Sequence, residues 1–193
     1  RSGSVTGVQT CALPISSTTR SWDQDLPTTL ASGDGKLSVF GQLIDVQGAV
    51  AVENADVLRL ESSGDLRLRG VVYPGGKRFG GSLLAAGDIE LHATQIYPAT
   101  MTDFRIATAN STDGEIRTSG GGATTPLLSA AGKLTLDAPT IRHGGNLRSP
   151  FGIVELVASN EVILQPDSVV STRADTTIPF GVVQGGFDWT YRF

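Results

Sequence analysis

A glycine, usually a charged residue, then apolar–polar–apolar: this five-residue pattern returns along the chain and constrains its fold more than any other feature. Its copies are Gly35-Lys36-Leu37-Ser38-Val39, Gly64-Asp65-Leu66-Arg67-Leu68, Gly87-Asp88-Ile89-Glu90-Leu91 and Gly132-Lys133-Leu134-Thr135-Leu136, with weaker ones at Gly114-Glu115-Ile116-Arg117-Thr118 and Gly152-Ile153-Val154-Glu155-Leu156. A period of two is that of a half-buried strand. "DVLRLESS", "GIVELVAS" and "EVILQP" alternate in the same way. Each run is short, about 4–6 residues, and bounded by Gly, Pro, Asn, Asp or Ser. No window keeps apolar residues at helical i, i+3, i+4 spacing over ten residues, so no long helix is expected.

The repetition extends beyond five residues. "LLAAGDIELHATQI" (83–96) and "LSAAGKLTLDAPTI" (128–141) share seven of fourteen positions at an offset of 45. Self-similarity on this scale signals a repeat architecture. The expected fold class is all-β: a right-handed parallel β-helix, a solenoid truncated at both ends, with coils over 31–175. Inward side chains then stack on equivalent residues of the next coil, and each repeated glycine supplies a corner where positive φ costs little. Roughly six or seven coils fit between Leu30 and Thr172, a rod of about 30 Å. A β-sandwich is the second architecture, but it requires no resemblance between its strands.

The chain has 193 residues, a net charge of −4 and 18% charged residues. A mildly acidic balance speaks against nucleic-acid binding, which needs a basic face. No apolar run approaches the roughly 18 residues of a membrane span, so no membrane insertion is expected. The one cysteine, Cys11, lies in "VTGVQTCALPI" (5–15), and all eleven residues match the translation of a common short-read sequencing adapter. Residues 1–16 are accordingly read as an adapter-derived artefact, residues 17–30 as a linker or disordered lead-in, and the native N-terminus as lying upstream. Without Cys11 no disulfide framework is available.

Candidate chemistry is sparse. The acids Asp65, Asp88, Glu90, Glu115, Asp137, Glu155 and Glu161 are scattered. In the 45-residue register Asp88 faces Lys133, Glu90 faces Thr135 and His92 faces Asp137, so no acids pair for general acid–base work and no catalytic residue is expected. His92 and His143 have no evident third ligand, so neither a metal nor a cofactor is expected. Gly120–Gly122 and Gly144–Gly145 read as turns, since neither opens a helix nor carries the Lys-Ser/Thr of a phosphate loop. Two groups are candidate glycan contacts. In "FDWTYRF", Phe187, Trp189, Tyr191 and Phe193 share one face of a strand, so Trp189 and Tyr191 can form a stacking platform for a sugar ring. That strand closes residues 176–193 and leads into an expected continuation. Arg67 and Arg69 point away from Leu66 and Leu68 and form, with Lys77 and Arg78, a basic group suited to sulfated glycans.

Several longer stretches carry a family resemblance: "SLLAAGDIELHATQIYPATMTDFRIATA", "GEIRTSGGGATTPLLSAAGKLTLDAPTIRHGGNLRSPFGIVEL" and the tail "SVVSTRADTTIPFGVVQGGFDWTY". In this order they resemble the C-terminal rod region of filamentous haemagglutinin-like proteins, over about Gly35 to Tyr191. The resemblance implies export by two-partner secretion through an outer-membrane pore, the partner during export. It implies residence at the surface of a Gram-negative bacterium or secretion from it, and a β-helical rod acting in adhesion, aggregation or biofilm formation towards glycans or proteins of host or bacterial surfaces. A carbohydrate-active β-helix enzyme and a glycan-binding module are the competing functions.

Overall fold

The computed structural model describes residues 29–72, 79–109, 112–174, 180–184 and 188–192. The expectations for residues 1–28, Lys77, Arg78, Phe187 and Phe193 lie outside the described residues.

Among the described residues every regular element is a strand. The chain runs through β1 (Gly35–Gly41), β2 (Ile44–Gln47) and β3 (Ala49–Val52), then β4 (Ala55–Ser62), β5 (Asp65–Arg69), β6 (Val71–Val72) and β7 (Phe79–Ala85). Next come β8 (Asp88–Ala93), β9 (Gln95–Pro98) and β10 (Thr102–Thr108), then β11 (Glu115–Gly120), β12 (Lys133–His143) and β13 (Asn146–Arg148). The path closes with β14 (Ile153–Leu164), β15 (Val169–Ser171), β16 (Phe180–Gln184) and β17 (Asp188–Arg192).

Each passage of the chain deposits strands in the same places. β1, β4, β8, β11 and the second halves of β12 and β14 pair in parallel and form one arm of a ten-stranded sheet. β3, β7, β10 and the first halves of β12 and β14 form the other arm. β2, β5, β9, β13 and β15 make a separate five-stranded parallel sheet. The all-β class is therefore present, as parallel sheets curled into a half-barrel. Two pairs are antiparallel: β6 with β7, and β16 with β17.

Alternation explains which faces meet. Leu37, Leu58, Ile89, Ile116, Ile141 and Val162 occupy one register column of the first arm, and Ile44, Leu66, Ile96, Leu147 and Val170 one column of the five-stranded sheet. Val50, Leu83, Ile106, Leu136 and Leu156 do the same in the second arm. The middle members of these columns are essentially inaccessible and make one continuous core. Phe104, the bulkiest fully buried side chain, lies over Gly81 of the neighbouring strand, where a Cβ would meet its ring at 2.5 Å. A second small cluster joins Leu30 to Leu84, Ala86 and Ala107, so the chain just before β1 is packed down.

Three expectations from the sequence need correction. First, the 45-residue register is not the spatial one: Ile89 stands over Ile116 and Ile141, not over Leu134. Lys133 is paired with Asp103 and Ile153, and His92 with Glu61 and Ser119. The two similar segments are the same local device, a corner followed by a strand, used at different corners. Second, the motif glycines Gly35, Gly64, Gly87, Gly132 and Gly152 do not adopt positive φ. They are small because another stretch of chain passes against them: a Cβ would meet the Asn54 carbonyl at Gly35, the Gln42 carbonyl at Gly64 and the Pro98 ring at Gly132. Positive φ falls instead at Asn54, Met101, Ala131, Phe151 and Asp167 and at glycines outside the motif, Gly48, Gly120–Gly122 and Gly145. Third, "GIVELVAS" and "EVILQP" are one strand, β14, and "KLTLDA" continues through Pro139 as β12. The β12–β14 register slips between Ala138 and Thr140, which places Pro139 where no ladder donor is required.

Candidate functional site

The outer face of the five-stranded sheet carries the densest set of functional side chains. Leu66 and Leu68 of β5 are fully buried, which forces Arg67 and Arg69 outward. Arg67 stands in register between Asp45 of β2 and Tyr97 of β9. Its Nε and Nη2 donate to the two carboxylate oxygens of Asp45, each at 2.7 Å. Arg69 Nη1 adds a longer contact of 3.5 Å to the same carboxylate. The Arg67 hydrogen bond holds the Asp45 carboxyl below its ordinary range, against an opposing effect of burial, and Asp45 in turn raises the Arg67 guanidinium.

A second carboxylate sits beside this row. Asp65 accepts from Tyr97 Oη and from Gln95 Nε2, both at 3.2 Å. Burial, and then the Asp65 charge, push the Tyr97 phenol up to about 12. Gln95 is fully buried although it faces away from the core, because the segment between β11 and β12 crosses above it and Thr125 accepts from its amide. This segment begins at Gly120–Gly122, which have positive φ, and contributes no strand; β13 pairs directly with β9 at Leu147–Ile96 instead.

Of the expected basic group, Arg67 and Arg69 fall within the described residues. Arg67 and Arg69 share a surface, but Asp45 and Asp65 balance them, leaving a mixed row of carboxylate, guanidinium, phenol and amide. Such a row donates to and accepts from hydroxyl groups, and among the described residues its guanidiniums and carboxylates offset one another. Trp189 and Tyr191 fall in β17, paired with Val183 and Gly181 of β16.

Elsewhere the outer charges lock neighbouring strands together. Glu115 Oε1 lies 3.0 Å from Arg117 Nη2 and 3.1 Å from Arg142 Nε, Arg117 reaches Glu90 at 3.0 Å, and Lys133 reaches Glu155 at 2.9 Å. The Lys133 hydrogen bond lowers the Glu155 carboxyl. Among these groups one row has hydrolase residue types: Glu61, His92 and Ser119 are consecutive in register, with His92 Nδ1 3.0 Å from Ser119 Oγ. Glu61, however, is engaged by Arg59 at 2.7 Å, and the row lies on an exposed sheet face rather than in a cleft that excludes water. A shallow polar recess lined by Ser32, Asp56, Asp88 and Asp113 opens at the corner before β8. Among the described residues no three His, Cys, Asp or Glu are grouped to hold a metal ion.

Sequence reasoning missed the buried polar residues. Gln95, Thr118, His143, Arg148 and Ser149 are almost wholly inaccessible. Their one signal was a polar residue where the alternation asks for an apolar one, as at Thr118 and His143. No family model, curated protein or solved structure matches the chain.

Proposed function

We propose that this chain is a right-handed parallel β-helix and a structural rod segment of a secreted or surface-exposed haemagglutinin-like adhesin, exported by two-partner secretion from a Gram-negative bacterium and catalysing no reaction. One observation carries the reading: the chain returns to three parallel stacks in fixed order, and its outer charges are spent on ion pairs between adjacent strands. A surface built in this way presents area and length rather than a reaction centre.

Beads coated with the purified chain are to adhere to bacterial or host-cell surfaces, and incubation with acidic polysaccharides is to release neither reducing ends nor unsaturated products. Turnover of a polysaccharide would install the carbohydrate-active enzyme in its place. The mixed Asp45–Arg67–Tyr97 row favours a second reading, a glycan-binding module that prefers neutral sugars. On a glycan array, binding that is lost in Arg67→Ala and Arg69→Ala supports it; loss in Trp189→Ala or Tyr191→Ala instead moves the contact to β17.

A further inference from the structure

One interior column of the first arm changes character along the stack. Val39, Leu60 and Leu91 are aliphatic; the next two members are Thr118 and His143, both 0% exposed; Leu164 ends the column at 60% exposure. His143 Nδ1 lies 2.7 Å from Thr118 Oγ1, and its Nε2 lies 3.2 Å from the carbonyl of Val169 on β15. Thr118 Oγ1 is also 3.1 Å from the Gly144 carbonyl. The imidazole therefore bridges β11 of the first arm to β15 of the other sheet.

The donors and acceptors fix how this bridge works. A carbonyl only accepts, so Nε2 carries a proton and donates to Val169. In the neutral ring Nδ1 then accepts from the Thr118 hydroxyl. A second proton on Nδ1 reverses that bond: Thr118 becomes the acceptor and turns its own hydrogen to Gly144. Every donor keeps a partner, but among the described residues no carboxylate is paired with the charge. The inward neighbours on the packed elements are Ile116 of β11, Val162 and Leu164 of β14, Leu147 of β13 and Val170 of β15, none of them titratable. Glu115, Arg117, Arg142 and Glu161 of the adjoining strands are engaged in the outer ion pairs. Arg148 of β13 faces Gln95 Oε1 at 3.4 Å, and Asp167 lies exposed in the turn before β15.

We propose that His143 is a proton-operated latch on the terminal circuit: neutral, it ties β15 to the stack, and protonated, it releases β15 and the turn that precedes it. The terminal circuit is the part that can yield. β15 pairs only with β13 among the described strands, and Val170 is 43% exposed. Burial lowers the imidazole from its ordinary 6.5. The sign follows: the latched state is fully favoured above 6.5 and loses stability as pH falls from there towards the depressed value of the closed ring.

The test uses the full chain, with amide protection factors and imidazole nitrogen shifts followed from about pH 7.5 to 5. Below 6.5 the opening constant at Val169 and Val170 is expected to rise up to about tenfold per pH unit, while β7 and β10 stay protected. His143→Leu continues the aliphatic column and is expected to flatten the response. Thr118→Val removes the acceptor for the second proton, so the rise is expected to continue to lower pH. A pH-independent opening constant, an unchanged slope in His143→Leu, or a His143 that titrates at or above the ordinary 6.5 would each overturn the proposal.

Discussion

Single residues decide where the strands can turn and how closely they stack. Gly87 and Gly152 are the tightest cases: a Cβ would be driven into the Asp56 carbonyl at the first and the Gly132 carbonyl at the second, and backbone does not move aside as a side-chain end does. Gly87→Ala is therefore expected to cost on the order of 1–3 kcal/mol through overpacking, read as a lower denaturant midpoint at unchanged m-value. Gly64 and Gly35 follow the same rule, so the recurring glycine in the sequence marks close approach of neighbouring chain rather than a left-handed corner. Thr108 is an opposite case. Its hydroxyl is buried with no hydrogen-bond partner among the described residues. Thr108→Val keeps the shape and removes the unsatisfied group, and is expected to stabilise the chain by about 1 kcal/mol in the same denaturation assay.

At the scale of elements, alternation was legible and register was not. Each short run that alternates in sequence is found as strand, because a period of two puts one face inward whichever stack receives it. Which run lies beside which depends on loop lengths, and the local corner-plus-strand device repeats at more than one corner. The similarity of 83–96 to 128–141 consequently pointed to partners that do not pair in register. The fusion into β12 and β14 was hidden by Pro139 and Asn160, which read as breaks. The candidate site divides in the same way. The outward direction of Arg67 and Arg69 could be read from Leu66 and Leu68, but their neutralisation by Asp45 is a contact between distant segments. Asp45→Asn tests that contact. The exposed pair contributes less than about 1 kcal/mol, so folding should barely change, while Arg67 and Arg69 are freed. Retention on a heparin column is expected to increase, and an unchanged elution would mean the arginines were already available. Because the Asp45 carboxyl is held below its ordinary 3.8, its stabilisation is present above that value and lost as pH falls through the depressed one.

At the scale of the whole molecule, the parallel stacks are, among the described residues, buried in the middle and exposed at the β14–β15 circuit. Val162, Leu164 and Val170 occupy inward columns yet are 41%, 60% and 43% exposed. Uncovered edge and uncovered core coincide there, a combination that invites association. Leu164→Lys places a charge on that end without disturbing a filled site. It is expected to reduce concentration-dependent association in light scattering, and equal association of both proteins would locate the sticky surface elsewhere. The core, the outer row and the His143 bridge all depend on the stacking register. Its most direct test is a methyl NOE map of the isoleucine- and leucine-labelled chain. A serial path Ile89–Ile116–Ile141 is expected in the first arm, with a contact between Ile96 and Leu147 in the other sheet. A strong Ile89–Leu134 contact without the serial path would contradict it and restore the register that the sequence similarity alone suggests.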